Sequence, residues 1–456
     1  MSKSRSRYVC QACGAVAGKW SGRCESCGAW NQIVEEQVVE GRIGGVATAA
    51  GRALPTESLS GQSPTFRRLP SGIGEFDGVV GGGLVPGSAV LVGGEPGIGK
   101  STLLLQVAAS IASKGIACLY VTGEEALDQI RARGQRLGLA DAPLRLAAAT
   151  DAAAIAATLA APDAPAVVII DSIQTLFLTE LESAPGSVAQ VRGTAQVLIA
   201  AAKRSGAALV ILGHVTKEGV IAGPRVLEHM VDAVVYFEGD RGTPFRILRA
   251  VKNRFGPADE IGVFTMTSTG LAEVTNPSAL FLSDRGEPAS GTAVFAGIEG
   301  TRPLLAEIQA LVAPSSLATP RRAVVGWDAA RLAMVLAVLD ARCGLAMGGR
   351  DIYLNVTGGL RIQEPGADLA VAAALVSSLS GIPVPEGTVA FGEIGLSGDV
   401  RPVSQPGLRL REAAKLGFRT AWAPPLRGAD AEAPLRHTEI VSVAELVALV
   451  GAGEAP

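Results

Sequence analysis

Gly93-Gly94-Glu95-Pro96-Gly97-Ile98-Gly99-Lys100-Ser101-Thr102 decides the fold. The apolar run Ser88 to Val92 enters this stretch as a buried strand, and Thr102 to Ala108 leaves it with the apolar spacing of a helix. Between strand and helix lies G-x-x-x-x-G-K-S. Its glycines let backbone N–H groups surround a phosphate, the helix N-terminus adds its positive dipole, and a lysine and a hydroxyl complete the cradle. Gly94, Glu95, Pro96, Gly97, Ile98, Gly99, Lys100, Ser101 and Thr102 are therefore expected to hold ATP, with Lys100 reaching the β- and γ-phosphates and Ser101 holding Mg²⁺.

A chain of 456 residues exceeds one core and implies about two or three domains. Apolar residues make up 48% but aromatics only 4%, so the interior is aliphatic, as α/β composition requires. The best candidate for a membrane span, Leu332 to Leu345, is broken by Asp340 and Arg342. The basic start (Lys3, Arg5, Arg7) runs into Tyr8-Val9-Cys10 and not into a signal-peptide core, so a cytoplasmic protein is expected. A net charge of −3 excludes a globally basic nucleic-acid binder; any DNA contact must be local.

Upstream, Cys10-x-x-Cys13 and Cys24-x-x-Cys27 can set four thiolates around one ion, which fits structural Zn²⁺ better than disulfides in a cytoplasmic protein. Residues 1–34 are read as this zinc knuckle. Trp20 and Trp30 are expected to pack against it, with stacking on a base as the alternative. Residues 35–68, rich in Gly, Ala, Ser and acidic residues, read as a flexible linker.

Over 69–275 strand and helix patterns alternate, which gives a mostly parallel sheet with helical crossovers. Ile116 to Thr122 ends in Gly123-Glu124-Glu125, Ala166 to Ile170 ends in Asp171, and Ala207 to Leu212 ends in Gly213-His214. All three polar endings fall at carboxyl ends of strands, where open α/β sheets bind ligands. Asp171 is the expected Mg²⁺ partner, and Glu124 (before Glu125) the general base that orients water. His214 is a candidate γ-phosphate sensor or a structural histidine. Val215 to Arg225 reads as a mobile loop carrying Lys217 and Arg225. A strand from Phe245 to Val251 then delivers Lys252-Asn253-Arg254-Phe255-Gly256, whose cations suit DNA phosphates or a neighbouring subunit's ATP.

Residues 276–456 form a second α/β unit, with strands at Ala306–Val312 and Asp351–Val356 and helices at Asp328–Gly344 and Asp368–Ser380. Arg321, Arg322, Arg331, Arg342, Arg350 and Arg361 make it locally basic.

The four-cysteine knuckle, Gly94 to Thr102, Val121-Thr-Gly-Glu-Glu125, Gly213-His-Val-Thr-Lys-Glu-Gly219 and Lys252 to Gly256 occur together and in order. In this combination the chain resembles, over essentially its whole length, the RadA (Sms) family of bacterial DNA repair proteins. The resemblance implies a zinc knuckle, a RecA-like P-loop ATPase core and a C-terminal Lon-protease-like α/β domain. It further implies a DNA-dependent ATPase and helicase that assembles as a hexameric ring. That ring would act on single-stranded DNA and branched recombination intermediates with RecA during branch migration. Lys100, Ser101, Asp171 and Glu124 match the nucleotide site; Lys217 and Arg225 fall in a DNA-contact loop; Lys252 and Arg254 match a motif tied to DNA-stimulated function and to sensing ATP across the subunit boundary. The Lon-like part departs from the protease pattern, since Asp368 stands at the serine's place and the lysine's place falls near Gly407, with Lys415 the nearest lysine. That domain is read as a proteolytically inactive scaffold and DNA-binding surface. A non-motor ATP switch assembling on DNA is the alternative to the motor.

Overall fold

The computed structural model describes residues 5–10, 16–25, 28, 30, 33–38, 67–214, 226–239, 245–258, 260–279, 281–282, 289–317, 319–427 and 435–451. The chain divides into two compact units, residues 1–238 with 246–273, and residues 239–245 with 274–456. Among the described residues no helix is long and apolar enough to cross a membrane.

The first unit opens with a small antiparallel ribbon of β1 (Arg5–Cys10), β2 (Val16–Ala17) and β3 (Ile33–Val38). Six residue pairs join β1 to β3, from Cys10↔Ile33 to Arg5↔Val38. The strand therefore continues past residue 34 to Val38. Residues 39–66 lie outside the described residues. Among the described residues Cys10, Cys24 and Ile33 form the ribbon's buried cluster, with Tyr8 packed against it. Trp20 and Trp30, expected to pack there, are instead 58% and 67% exposed, and the Arg23 guanidinium lies 5.7 Å from the centre of the Trp30 ring.

Beyond the ribbon, α1 (Gly74–Val79) precedes β4 (Ala89–Gly94), α2 (Lys100–Ser113), β5 (Cys118–Thr122), α3 (Leu127–Arg136), β6 (Arg145–Ala148) and α4 (Ala152–Leu159). Then come β7 (Val167–Asp171), α5 (Val188–Ser205), β8 (Ala208–His214), α6 (Val226–Met230), β9 (Ala233–Glu238), β10 (Phe245–Asn253), β11 (Ile261–Thr267) and β12 (Gly270–Glu273). The strands form one sheet in the order β12-β11-β10-β9-β4-β8-β7-β5-β6. From β6 to β9 all pairings are parallel, while β10 runs antiparallel to β9. Strands β4, β5 and β7 are buried along their whole length because helices cover both faces of the sheet, so their sequences read as unbroken apolar runs. Asp151 and Ser187 cap α4 and α5 by accepting backbone N–H bonds, and Gly206 ends α5 in the left-handed region.

The second unit contains β13 (Thr292–Glu299), β14 (Arg302–Pro314), β15 (Arg322–Val325), α7 (Ala329–Cys343), β16 (Arg350–Val356), α8 (Asp368–Ser380) and β17 (Thr388–Ala390). It continues with β18 (Glu393–Ile394), β19 (Val400–Arg401), α9 (Pro406–Lys415), β20 (Thr420–Ala423), β21 (Arg436–Glu439) and α10 (Val443–Gly451). Seven strands make one sheet, ordered β15-β16-β14-β13-β17-β20-β21. Helix α8 lies between that sheet and α10, which buries Leu369 to Val376 all round.

At the head of α8 sits Asp368, only 1% exposed. Arg331 of α7 grips it with two bonds, Nε to Oδ1 at 2.7 Å and Nη2 to Oδ2 at 2.5 Å, and the N–H of Ile394 donates to the same carboxylate. Burial pushes the Asp368 carboxyl above the usual carboxylate range, against the pull of Arg331. Gly407 is buried in α9, and Lys415, at the far end of that helix, is exposed beside Glu412. Arg409 between them is fully buried, paired with Glu364 and donating to the carbonyl of Ala296.

Candidate functional site

The glycine-rich loop turns at the carboxyl end of β4 and delivers Lys100 as the first residue of α2. Gly94 must be glycine: its φ is 155° and a Cβ there would stand 2.5 Å from the Phe237 carbonyl oxygen. Lys100, 4% exposed, donates from Nζ to the carbonyls of Gly94 at 2.7 Å and Glu95 at 2.8 Å. Two further contacts, neither foreseen from sequence, brace the loop and its helix. Arg246 of β10 donates from Nε to the Ile98 carbonyl at 3.1 Å, and the Gln106 amide exchanges two 3.0 Å bonds with the backbone of Leu271 in β12.

Burial pulls the Lys100 ammonium down to about 8, although Asp171, Glu124 and Glu95 all oppose the shift. Phosphate favours the charged lysine, so binding ATP above this point takes up a proton. ATP affinity is thus expected to be level at neutral pH and to fall by up to tenfold per unit above about pH 8, one proton being linked. Titration of a fluorescent nucleotide from about pH 6.5 to about 9.5 checks this, and a flat profile contradicts it.

Parallel register brings the other groups to the same end of the sheet. Thr122 lies beside Asp171 and Gly94 beside His214. Only the backbone of His214 is described, and Lys217 and Arg225 lie outside the described residues. Asp171 ends β7, buried, and accepts a 2.5 Å bond from the Tyr120 hydroxyl. The Ser101 hydroxyl also bonds to it, and burial holds its carboxyl above the ordinary range despite both donors. A hydroxyl and a carboxylate in mutual contact at the head of the phosphate loop are the hard oxygen pair that Mg²⁺ takes. The residues fit that ion.

Adjacent glutamates have different surroundings. Glu125 is clamped by Nη2 of Arg133, 2.6 and 2.7 Å from its two oxygens. Glu124 is exposed and accepts a 2.5 Å bond from the Ser172 hydroxyl, next to Asp171. Sequence reasoning missed Tyr120, Ser172 and Arg133. A tyrosine in a buried strand and a serine after an aspartate both read as ordinary fold residues.

Lys252 and Arg254 are not in this cluster. In register Lys252 pairs with Val234, and Asn253 with Ala233, which in turn lies beside Val90. Arg254 donates its N–H to the Asp232 carbonyl, and the Asp232 carboxylate accepts from the N–H of Ala89. These residues stand at the amino end of β4, five positions from Gly94, or about 16 Å along a strand. The direction of β10 causes this: it runs antiparallel and so delivers its last residues to the opposite end of the sheet. Lys252 Nζ donates to the carbonyls of Glu228 at 2.7 Å and Val231 at 2.8 Å, and burial with Arg254 nearby lowers its pKa. The Arg254 guanidinium is more than half exposed and reaches Asp232 at 3.3 Å.

In the ribbon, Cys10 and Cys24 come one from each pair and are both buried, and the N–H of Gly28 donates to the Cys24 carbonyl at 2.8 Å in a knuckle-like turn. Cys13 and Cys27 lie outside the described residues. Two buried thiols from the two pairs fit a shared metal.

A family model described as an AAA domain matches residues 57–220, and one described as a rubredoxin metal binding domain matches residues 8–35. The DNA repair protein RadA of Brucella abortus (strain 2308) is 56% identical, over 100% of this chain and 99% of its own length. Those of Pseudomonas aeruginosa and Bacillus subtilis (strain 168) are 49% and 44% identical, each alignment covering 98% of both chains.

Proposed function

The chain belongs to the family of the DNA repair protein RadA, α/β proteins with a RecA-like ATPase core, and from that premise we propose that it is an ATP-driven motor on DNA. The family supports a role in DNA repair and recombination with ATP hydrolysis. On this reading the protein works in the cytoplasm as a hexameric ring. It moves on single-stranded DNA and, together with RecA, migrates the branches of recombination intermediates.

One observation carries the reading: the cluster of Lys100, Ser101, Asp171 and Glu124 at one end of the sheet, with Lys252 and Arg254 at the other. Lys100 and the loop amides hold the phosphates, Ser101 and Asp171 hold Mg²⁺, and Glu124 orients the attacking water and takes its proton. The ion supplies charge neutralisation on the β- and γ-phosphates. A cation motif turned away from its own loop is suited to the next subunit's ATP, or to DNA, and Lys217 and Arg225 are the second candidate DNA contacts. Four thiols, Cys10, Cys13, Cys24 and Cys27, hold a structural Zn²⁺.

In the C-terminal unit the Arg331–Asp368 pair supports a scaffold reading and argues against proteolysis, because the carboxylate at the nucleophile's place is buried and neutralised. The test is ATP turnover with and without single-stranded DNA over a range of salt. Stimulation by DNA is expected; one rate in both conditions would overturn the motor. Stimulated hydrolysis without strand displacement or branch migration would leave the assembly switch in its place.

A further inference from the structure

Ser172 is completely buried at the amino-terminal cap of the 3-10 turn Ile173–Thr175. A serine in that position ordinarily gives its hydroxyl oxygen to the turn's own N–H groups. Here the turn receives no side-chain cap. The hydroxyl donates to Oε1 of Glu124 instead, at 2.5 Å.

The surroundings hold both partners in line. Thr175 Oγ1 donates to the Ser172 carbonyl at 2.9 Å, and the N–H of Gly123 donates to the Asp171 carbonyl at 2.8 Å. A Cβ on Gly123 would overlap Thr175 Oγ1, so only glycine lets the chain ahead of Glu124 come this close to the end of β7. On the other side Thr122 Oγ1 accepts the N–H of Glu125 at 3.0 Å and fixes the turn from which Glu124 projects.

We propose that Ser172 is the positioning residue of the ATPase site, fixing the Glu124 carboxylate at the end of β7 so that it faces the attacking water. The inference rests on the reading of Glu124 as the base. An exposed glutamate samples several rotamers, and one buried donor selects among them. Removing this hydrogen bond therefore leaves the base less often in place.

Full-length Ser172→Ala is expected to lower DNA-stimulated kcat about tenfold, the order expected for one hydrogen bond to a charged group. KM for MgATP should stay within about twofold. Ser172→Cys, which keeps a weak donor, should recover part of the rate. In single-turnover measurements Ser172→Ala should add no further loss to a Glu124→Gln enzyme, because the hydroxyl then has no base to orient. Wild-type kcat in Ser172→Ala, beside an inactive Glu124→Gln, would overturn the positioning role and leave the base assignment standing. A parallel rise in KM, or an additive loss in the double variant, would overturn it in favour of a structural role. An active Glu124→Gln enzyme would overturn the base assignment itself.

Discussion

Glu124→Gln is expected to lower steady-state ATP hydrolysis by about two to four orders of magnitude while MgATP still binds. The amide is nearly isosteric and can still accept the Ser172 hydrogen bond, but it cannot take a proton from water. Lys100 and the Ser101–Asp171 pair are untouched, so the phosphates and Mg²⁺ keep their partners. Glu125→Gln supplies the contrast. Its carboxylate is occupied by Arg133 Nη2, which reaches both oxygens, and the change should loosen the start of α3 with hydrolysis largely retained. Phosphate release and fluorescent-nucleotide binding measured on both variants decide the matter. An inactive Glu125→Gln beside a working Glu124→Gln would reverse the assignment.

Arg254→Ala should be comparably damaging, by at least about a hundredfold if it serves as a finger on the transferring phosphoryl group. Its own phosphate loop is about 16 Å away at the other end of the sheet, so the loss should appear at a neighbour's site. Mixing makes this visible. Arg254→Ala and Glu124→Gln proteins are each inactive alone, yet a site built from the Glu124 of one and the Arg254 of the other is intact. Random one-to-one mixing should restore about a quarter of wild-type turnover, because half the subunits keep the base and half of their neighbours keep the arginine. No recovery on mixing would mean that the arginine does not complete a neighbour's site. Full activity of Arg254→Ala alone would remove it from the chemistry.

The phosphate loop and its flanking elements were legible because an apolar run, a glycine turn and a helical repeat follow one another without interruption. Helix α7 was legible nearly to the residue, since Asp328 caps one end and Gly344 the other, and both are sequence signals. What escaped depends on direction and on partners distant in sequence. Periodicity makes 245–251 a strand but does not say that it runs antiparallel, and that direction alone separates Lys252 and Arg254 from the site of their own chain. Two adjacent glutamates look alike until Arg133, eight residues on, engages one of them. The exposure of Trp20 and Trp30 depends on how the ribbon's strands come together, which no single residue reveals. Asp368 could be read as a missing nucleophile; its clamp by Arg331, thirty-seven positions earlier, could not.

The two carbonyls held by Lys100 set a threshold for what enters the loop. An incoming ligand must replace both acceptors around a buried ammonium before that ammonium can leave them. On the proposed reading, a chain of phosphates offers one lysine and the loop amides more anionic oxygens than a single phosphate does, so nucleoside di- and triphosphates are expected to bind more tightly than the monophosphate.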